Sequence, residues 1–315
     1  MIHYSIIIPY YNCPKLLVRC LNSIPTREDL QVIVIDDCSP TNYLYEDIVV
    51  KYSQCNVEFY QTPRNLGAGC ARNIGLKHAK GKWLIFADAD DYFNVCFSDI
   101  LDLYVDSLAD IIFFKASSQD SDTYVNTNRC NYVNDWIDGY LLSPNVFDYH
   151  LRYLYGEPWG KIINSHLVSS NGIHFSETII HNDTRFSYQV GYYAKKIVAD
   201  RHAIYCVTEQ PNSVSKQVSI ERIFVRTEVF CEKYVWLKKH GVDYQLEGLA
   251  ASGLNIFRKK NDIANFLKCK NIFQKYGINL QEIDCYFSQY YKKPTILYRI
   301  KKLIKKRVLK LVNAW

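Results

Sequence analysis

The chain has 315 residues, 48% of them apolar and 15% aromatic, which is enough to bury one large core or two modest ones and excludes a disordered segment or a disulfide-stapled miniprotein. Its formal charge of +6 is unevenly placed: residues 1–215 hold 17 basic against 24 acidic side chains, whereas residues 292–315 hold nine basic and no acidic ones. An acidic body repels phosphate backbones, so nucleic acid is not an expected partner.

Short, nearly continuous apolar runs at Tyr4–Pro9, Gln31–Asp36, Asn56–Tyr60, Lys82–Ala87 and Asp110–Phe114 have the pattern of parallel strands buried on both faces. Between the first two, Asn12 can cap and Pro14 can open a helix over Pro14–Ile24, with Leu17, Cys20, Leu21 and Ile24 on one face. Further crossover helices fit Asn42–Tyr52, Gly69–Ala79 and Val95–Leu108, so residues 1–115 read as a doubly wound, mostly parallel α/β half. Residues 115–135 are polar and aperiodic and mark a loop or seam. Residues 116–215 are mixed and residues 216–291 chiefly helical, with Phe224, Phe230, Tyr234 and Leu237 at helical spacing; residues 292–315 form a distinct basic tail.

The chemistry gathers at strand ends. The fourth strand runs out into Asp88-Ala89-Asp90-Asp91, where strand alternation turns Asp88 and Asp90 the same way. Clustered carboxylates need a cation, and hard oxygen donors with open positions suit Mg²⁺ or Mn²⁺ shared with a diphosphate, although a solvated acidic turn is the plainer alternative. The second strand ends in Asp36-Asp37-Cys38-Ser39 and the first in Pro9-Tyr10-Tyr11-Asn12. In an α/β sheet these termini converge on one crevice, as a nucleotide site requires; singly, Asp37 and Ser39 also suit a turn, and Tyr10 or Tyr11 the core. The segment Arg64-Asn65-Leu66-Gly67-Ala68-Gly69-Cys70-Ala71-Arg72 has Arg72 where a dinucleotide fingerprint needs its third glycine, and no Walker GK[ST] follows. Its glycines let a helix start close to the crevice, and Arg72 can hold a carboxylate or phosphate.

The ordered set SIIIPYYN, VIVIDDCSP, RNLGAGCARNIGL and FADADD resembles the nucleotide-binding half of family 2 glycosyltransferases with the GT-A fold, over about the first 115 residues. The resemblance implies a nucleotide-sugar site built from Pro9, Tyr11, Asn12, Asp36, Asp37, Asn65, Gly67, Arg72, Asp88, Ala89 and Asp90. Within it Pro9 and Tyr11 flank the base, Asp36 or Asp37 contacts uracil, Asp88 approaches the ribose, and Asp90 with Asp91 serves Mn²⁺ or Mg²⁺. Residues 116–215 then form the acceptor half, carrying Trp159-Gly160-Lys161, Asn182-Asp183 and Asn212-Ser213-Val214-Ser215. The second acid of the family's ED pair is its general base, which falls on Asp183, whereas Asn182 departs from the usual Glu. His181 is a third metal ligand or a plain loop histidine, and Trp136 and Trp159 stack on sugar or fill the core.

These features imply an inverting transferase that moves a sugar from a nucleotide donor, with UDP as the expected carrier, to a hydroxyl of a glycan or lipid-linked glycan in surface polysaccharide synthesis. The alternative is a catalytically silent nucleotide-sugar-binding subunit of an assembly complex. Residues Met1–Asn12 lack a basic start and a small-residue cleavage site, and the 11 cysteines are odd in number and contain no CxxC, so a cytoplasmic protein with reduced thiols is expected. In the tail, Ile296, Ile300, Leu303, Ile304, Val308, Leu311 and Val312 share one helical side and lysines the other, the pattern of a peripheral anchor on an anionic membrane or of a helix docked on the acidic body.

Overall fold

A computed structural model of the chain describes residues 1–40, 43–53, 55–210 and 219–279. The chain divides into two compact units, residues 1–218 and 219–315. The first begins β1 (Tyr4–Tyr10), α1 (Pro14–Asn22), β2 (Leu30–Asp36), α2 (Tyr43–Tyr52), β3 (Val57–Gln61), α3 (Ala68–His78) and β4 (Trp83–Phe86). Every residue of β1, β2 and β4 is buried, which is why their sequences run apolar without alternating. β1 lies parallel between β2 and β4, and β3 extends the sheet beyond β2.

The chain continues through β5 (Tyr92–Phe93), α4 (Phe97–Tyr104), β6 (Ile111–Asp120), α5 (Asn131–Leu142), α6 (Pro144–Tyr149) and a π-helical turn at His150–Leu154. It then forms β7 (Lys161–Asn164), α7 (Ser165–Ser170), α8 (Thr184–Tyr193) and β8 (Ile197–Glu209). Among the described residues the sheet has the order β3-β2-β1-β4-β7-β6-β8-β5, mostly parallel, with β7 and β5 running against their neighbours.

Residues 115–135, expected as a loop or seam, are loop only over 121–130. β6 runs on to Asp120 beside β8, and α5 starts at Asn131. The pattern is concealed because the buried side of this stretch carries Ala116 and Ser118, small residues that read as loop rather than strand.

The second unit contains α9 (Ile220–Lys239), α10 (Gly248–Lys259) and α11 (Ile263–Lys275). Ser219 and Asp262 cap α9 and α11 by accepting the amides of Arg222 and Asn265. Phe230, Leu254, Phe257 and Phe273 fill its core. Among the described residues no helix is long and apolar enough to cross a membrane, and the ten described cysteines are free thiols. The tail at 292–315 and the turn at 212–215 lie outside the described residues.

Candidate functional site

β4 stops at Phe86, and the chain turns at once: the Asp91 amide donates to the Asp88 carbonyl at 3.0 Å. Strand alternation therefore does not govern the three carboxylates, and each has a different environment. Asp91 is buried, accepting the Thr208 amide at 2.6 Å and the Tyr205 hydroxyl at 3.0 Å. The same Tyr205 oxygen accepts the Asp88 amide at 2.8 Å, so β8 grips the turn through side chain and main chain together. Asp91 is thus a clamp, which corrects its expected place beside Asp90 on a metal: burial, then Asp90 and Asp88, push its carboxyl well above the usual range. From the other side, Arg19 of α1 donates to the Asp90 carbonyl at 2.5 Å and to Thr208 Oγ1 at 3.1 Å. The Asp90 side chain makes no hydrogen bond or ion pair with another side chain among the described residues, and burial and the nearby Asp88 raise its pKa to about 6.

Arg72, one turn into α3, is buried and holds a carboxylate: Nη2 donates to Asp88 Oδ1 at 2.5 Å, and Nη1 to Asn182 Oδ1 at 2.9 Å. Its guanidinium stands over the Phe175 ring at 5.4 Å. The fork explains why a neutral Asn182 serves here, since Asp88 already balances the single positive charge. The loop that delivers Asn182 lies directly on α3. Asn73 exchanges two hydrogen bonds with the Phe175 main chain, and a Cβ on Gly69 would stand 2.0 Å from the Ser176 carbonyl oxygen and 2.9 Å from Asn182 Cβ. Gly69 is required by that close approach.

Asp183 occupies the N-cap of α8, yet its half-buried carboxylate makes no capping hydrogen bond. Burial raises its pKa to about 6, with Arg72 opposing the shift and Glu157 and Asp88 adding to it. Asp183, Arg72 and Asp88 therefore form one electrostatic cluster, and an acid tuned close to neutrality suits proton transfer.

At the end of β2, both carboxylates are buried. Asp37 pins the loop before α3, accepting the Leu66 and Gly67 amides at 2.8 and 2.7 Å and Thr62 Oγ1 at 3.0 Å. Gly67 has φ +87°, open to glycine and strained for other residues. Asp36 accepts the Ser39 hydroxyl at 2.5 Å and Gln61 Nε2 at 3.0 Å, while Ser39 Oγ accepts the Asn12 amide at 2.8 Å. Of the tyrosine pair, Tyr10 belongs to the core and stacks on Tyr45 at 4.8 Å, whereas Tyr11 is 49% exposed. Pro9 and Ala89 are buried and Asn65 is exposed.

Trp159 is a core residue, stacked on Tyr205 at 5.9 Å, which removes it as a sugar platform. Trp136 is half-buried, edge-on to Tyr132 at 5.1 Å, and the Tyr132 hydroxyl donates to Glu157. Arg19, Tyr205, Thr208 and Glu157 carry no motif in the sequence, and their roles rest on contacts that only the fold brings together. No group of three metal-ligating side chains gathers among the described residues. Asp90 with Asp88 still fits a hard divalent cation, which is commonly held by one or two carboxylates and completes its shell with substrate phosphate and water. The Asp90 carboxylate, which makes no hydrogen bond or ion pair with another side chain among the described residues, is the observation that favours it.

The family model for glycosyl transferase family 2 matches residues 5–162. The poly(ribitol-phosphate) β-N-acetylglucosaminyltransferase TarS of Staphylococcus aureus is 38% identical over 100 residues, covering 30% of this chain and 17% of that one. The uncharacterized glycosyltransferase EpsJ of Bacillus subtilis is 27% identical over 226 residues, 67% of this chain and 62% of its own. Among solved structures, S. aureus TarS 1-349 in complex with UDP-GlcNAc superposes with a TM-score of 0.58 at 23% identity, over 85% of this chain and 72% of that one. The mannosyltransferase PcManGT of Pyrobaculum calidifontis, with GDP-Man and Mn²⁺, gives 0.53 at 12% identity, over 99% and 87%. The mixed sheet, the strand-end carboxylates and the family match lead to one conclusion: the chain belongs to glycosyl transferase family 2 and has the GT-A fold.

Proposed function

We propose that the chain transfers a sugar, with inversion, from a UDP-linked donor in the crevice above β1, β2 and β4 to a hydroxyl of a surface glycan or lipid-linked glycan. The carrying observation is Asp183: a carboxylate left uncommitted at a helix start, tuned to about 6, in the cluster that also holds Asp88 and Arg72. Asp183 accepts the proton of the acceptor hydroxyl as its oxygen bonds to the anomeric carbon. The bond to the diphosphate breaks on the opposite face, which inverts that carbon. Asp90, with Asp88 held in place by Arg72, would bind Mn²⁺ or Mg²⁺, which when present offsets charge on the departing diphosphate. Tyr11, Asn12 and Asp36 line the base end, with Asp37, Asn65 and Gly67 shaping the loop beside it. A UDP donor is favoured by the two S. aureus TarS structures, one in complex with UDP-GlcNAc and one with UDP.

Melting curves with UDP, GDP, dTDP and CMP, each with and without Mn²⁺, test the donor. At a hundredfold excess over Kd a ligand adds about 2.7 kcal/mol of stability. UDP with Mn²⁺ is expected to give the largest shift; a larger response to GDP rejects the donor, and no response to any nucleotide favours the silent-subunit reading.

For the tail we propose, from sequence, a peripheral anchor on an anionic membrane surface at the cytoplasmic face. Nine cations in residues 292–315, each worth roughly 1 kcal/mol near such a surface, oppose no local acid. Replacing Lys301, Lys302, Lys305, Lys306 and Lys310 by Gln is expected to abolish sedimentation with phosphatidylserine vesicles. Undiminished sedimentation refutes the anchor.

A further inference from the structure

Residues 248–279 of the second unit, which carry α10 and α11, hold six basic side chains and one acidic one. The single acid, Asp262, is the cap of α11. α10 runs out through Arg258-Lys259-Lys260, and the chain turns at once into α11: the Lys260 amide donates to the Ile256 carbonyl at 3.1 Å and the Asp262 amide to the Phe257 carbonyl at 2.9 Å. Helical spacing sets Ile263, Leu267 and Lys270 on one stripe of α11 and Ala264, Lys268, Asn271 and Lys275 on the next. Phe266, Cys269 and Phe273 lie on the opposite side and pack in the core of the unit.

The outer side is apolar at its centre and basic around it. Ile263 is 66% exposed and Leu267 49%, with Ala264, Lys268 and Asn271 exposed beside them and Arg258, Lys259 and Lys260 exposed on the turn. Lys275 pairs with Glu228, whereas the side chains of Lys259, Lys260, Lys268 and Lys270 make no hydrogen bond or ion pair among the described residues. A cleft of about 140 Å³ opens at the same turn, lined by Phe257, Ile263 and Phe266 together with Arg258, Asn261 and Asp262. Cations alone would suit any polyanion. Aliphatic side chains among them narrow the choice, because nucleic acid is gripped by basic and aromatic groups and leaves Ile and Leu in water. An anionic bilayer supplies charge for the lysine ends and hydrocarbon just below for the aliphatic ones.

We propose that the outer face of α11, with the Arg258–Lys260 turn, lies on an anionic lipid surface, its lysines on the headgroups and Ile263 and Leu267 at the boundary of the acyl chains. The partner is the one proposed above for the tail, but the residues are different, so either contact can fail alone. Two weak attachments on one chain hold a membrane that neither holds by itself, and loss of either is therefore felt strongly.

Sedimentation of the full chain with phosphatidylcholine vesicles, with and without phosphatidylserine, is compared for the parent and two variants that keep the tail intact. Lys259→Gln with Lys260→Gln and Lys268→Gln is expected to bind the phosphatidylserine vesicles about ten- to a hundredfold more weakly. Ile263→Ser with Leu267→Ser is expected to weaken binding about tenfold. Both should melt at the parent temperature, because the replaced side chains are exposed. Vesicle binding retained by both variants overturns the proposal, and single-stranded DNA bound by the parent but not by the lysine variant would then assign the face to nucleic acid. Loss in the lysine variant alone overturns it in favour of unspecific charge attraction. The tail variant run beside them separates the two contacts: undiminished sedimentation there, with loss in both α11 variants, refutes the tail anchor and leaves the α11 surface standing. A parent chain that binds no vesicle refutes both.

Discussion

Asp183→Asn is expected to lower kcat by about 10²- to 10⁴-fold while leaving the affinity for UDP within roughly a factor of two. The substitution removes only the ability to accept a proton. Asn is isosteric, the carboxylate makes no capping bond that would be lost, and Arg72 keeps its partners Asp88 and Asn182. In the parent chain kcat should rise with pH through about 6 and then level, because the base must be ionised to act. Stability moves the opposite way. A carboxyl whose pKa is raised from 3.8 to about 6 favours the folded state while protonated, and that contribution fades as pH climbs from 3.8 to 6. Asp183→Asn should accordingly melt higher than the parent above pH 6 and lose that advantage near pH 4. Unchanged turnover in a variant that melts in this way would remove Asp183 from the chemistry.

The second large effect separates two adjacent acids. Asp90→Asn should abolish the Mn²⁺-dependent part of UDP binding and cut kcat/KM by about 10³-fold, several kcal/mol of charge stabilisation, without lowering the melting temperature. Asp91→Ala should instead lose about 2–4 kcal/mol of folding stability, since it strands the Thr208 amide and the Tyr205 hydroxyl in a buried position. Urea unfolding and metal titration on both variants decide the matter. If Asp91→Ala unfolds like the parent and loses only its metal response, the clamp assignment is wrong.

The contrast between these neighbours shows where sequence reading reaches its limit. β1, β2 and β4 are legible because continuous apolar runs, Ile- and Val-rich in β1 and β2 and Trp-Leu-Ile-Phe in β4, have little alternative to a buried strand, and the start of α3 is marked by its glycines. The carboxylates were also visible as an excess of charge at strand ends. Their division of labour was not, because it is set by Tyr205 and Thr208, more than a hundred positions later in the chain. Nothing local to Asp91 announces that it will be capped. Similarly, Asn182 reads as a departure from the family until Arg72 is seen to reach it across 110 positions. The second half of β6 stays hidden because Ser and Gln occupy a strand whose partner, β8, is also remote in the chain.

That remoteness bears on how the chain is made. A ribosome that has released residues up to 162, the whole stretch matched by the family model, has produced β1 to β4 and every carboxylate of the turn, but neither α8 nor β8. Until Tyr205 and Thr208 emerge, three acids share a turn with their clamp missing, and closure waits on a loop of more than a hundred residues, a slow and entropically demanding step. A fragment cut at the family boundary would therefore hold the motif without the site, and would also lack Phe186, Ile197, Tyr205 and Val207 from its core.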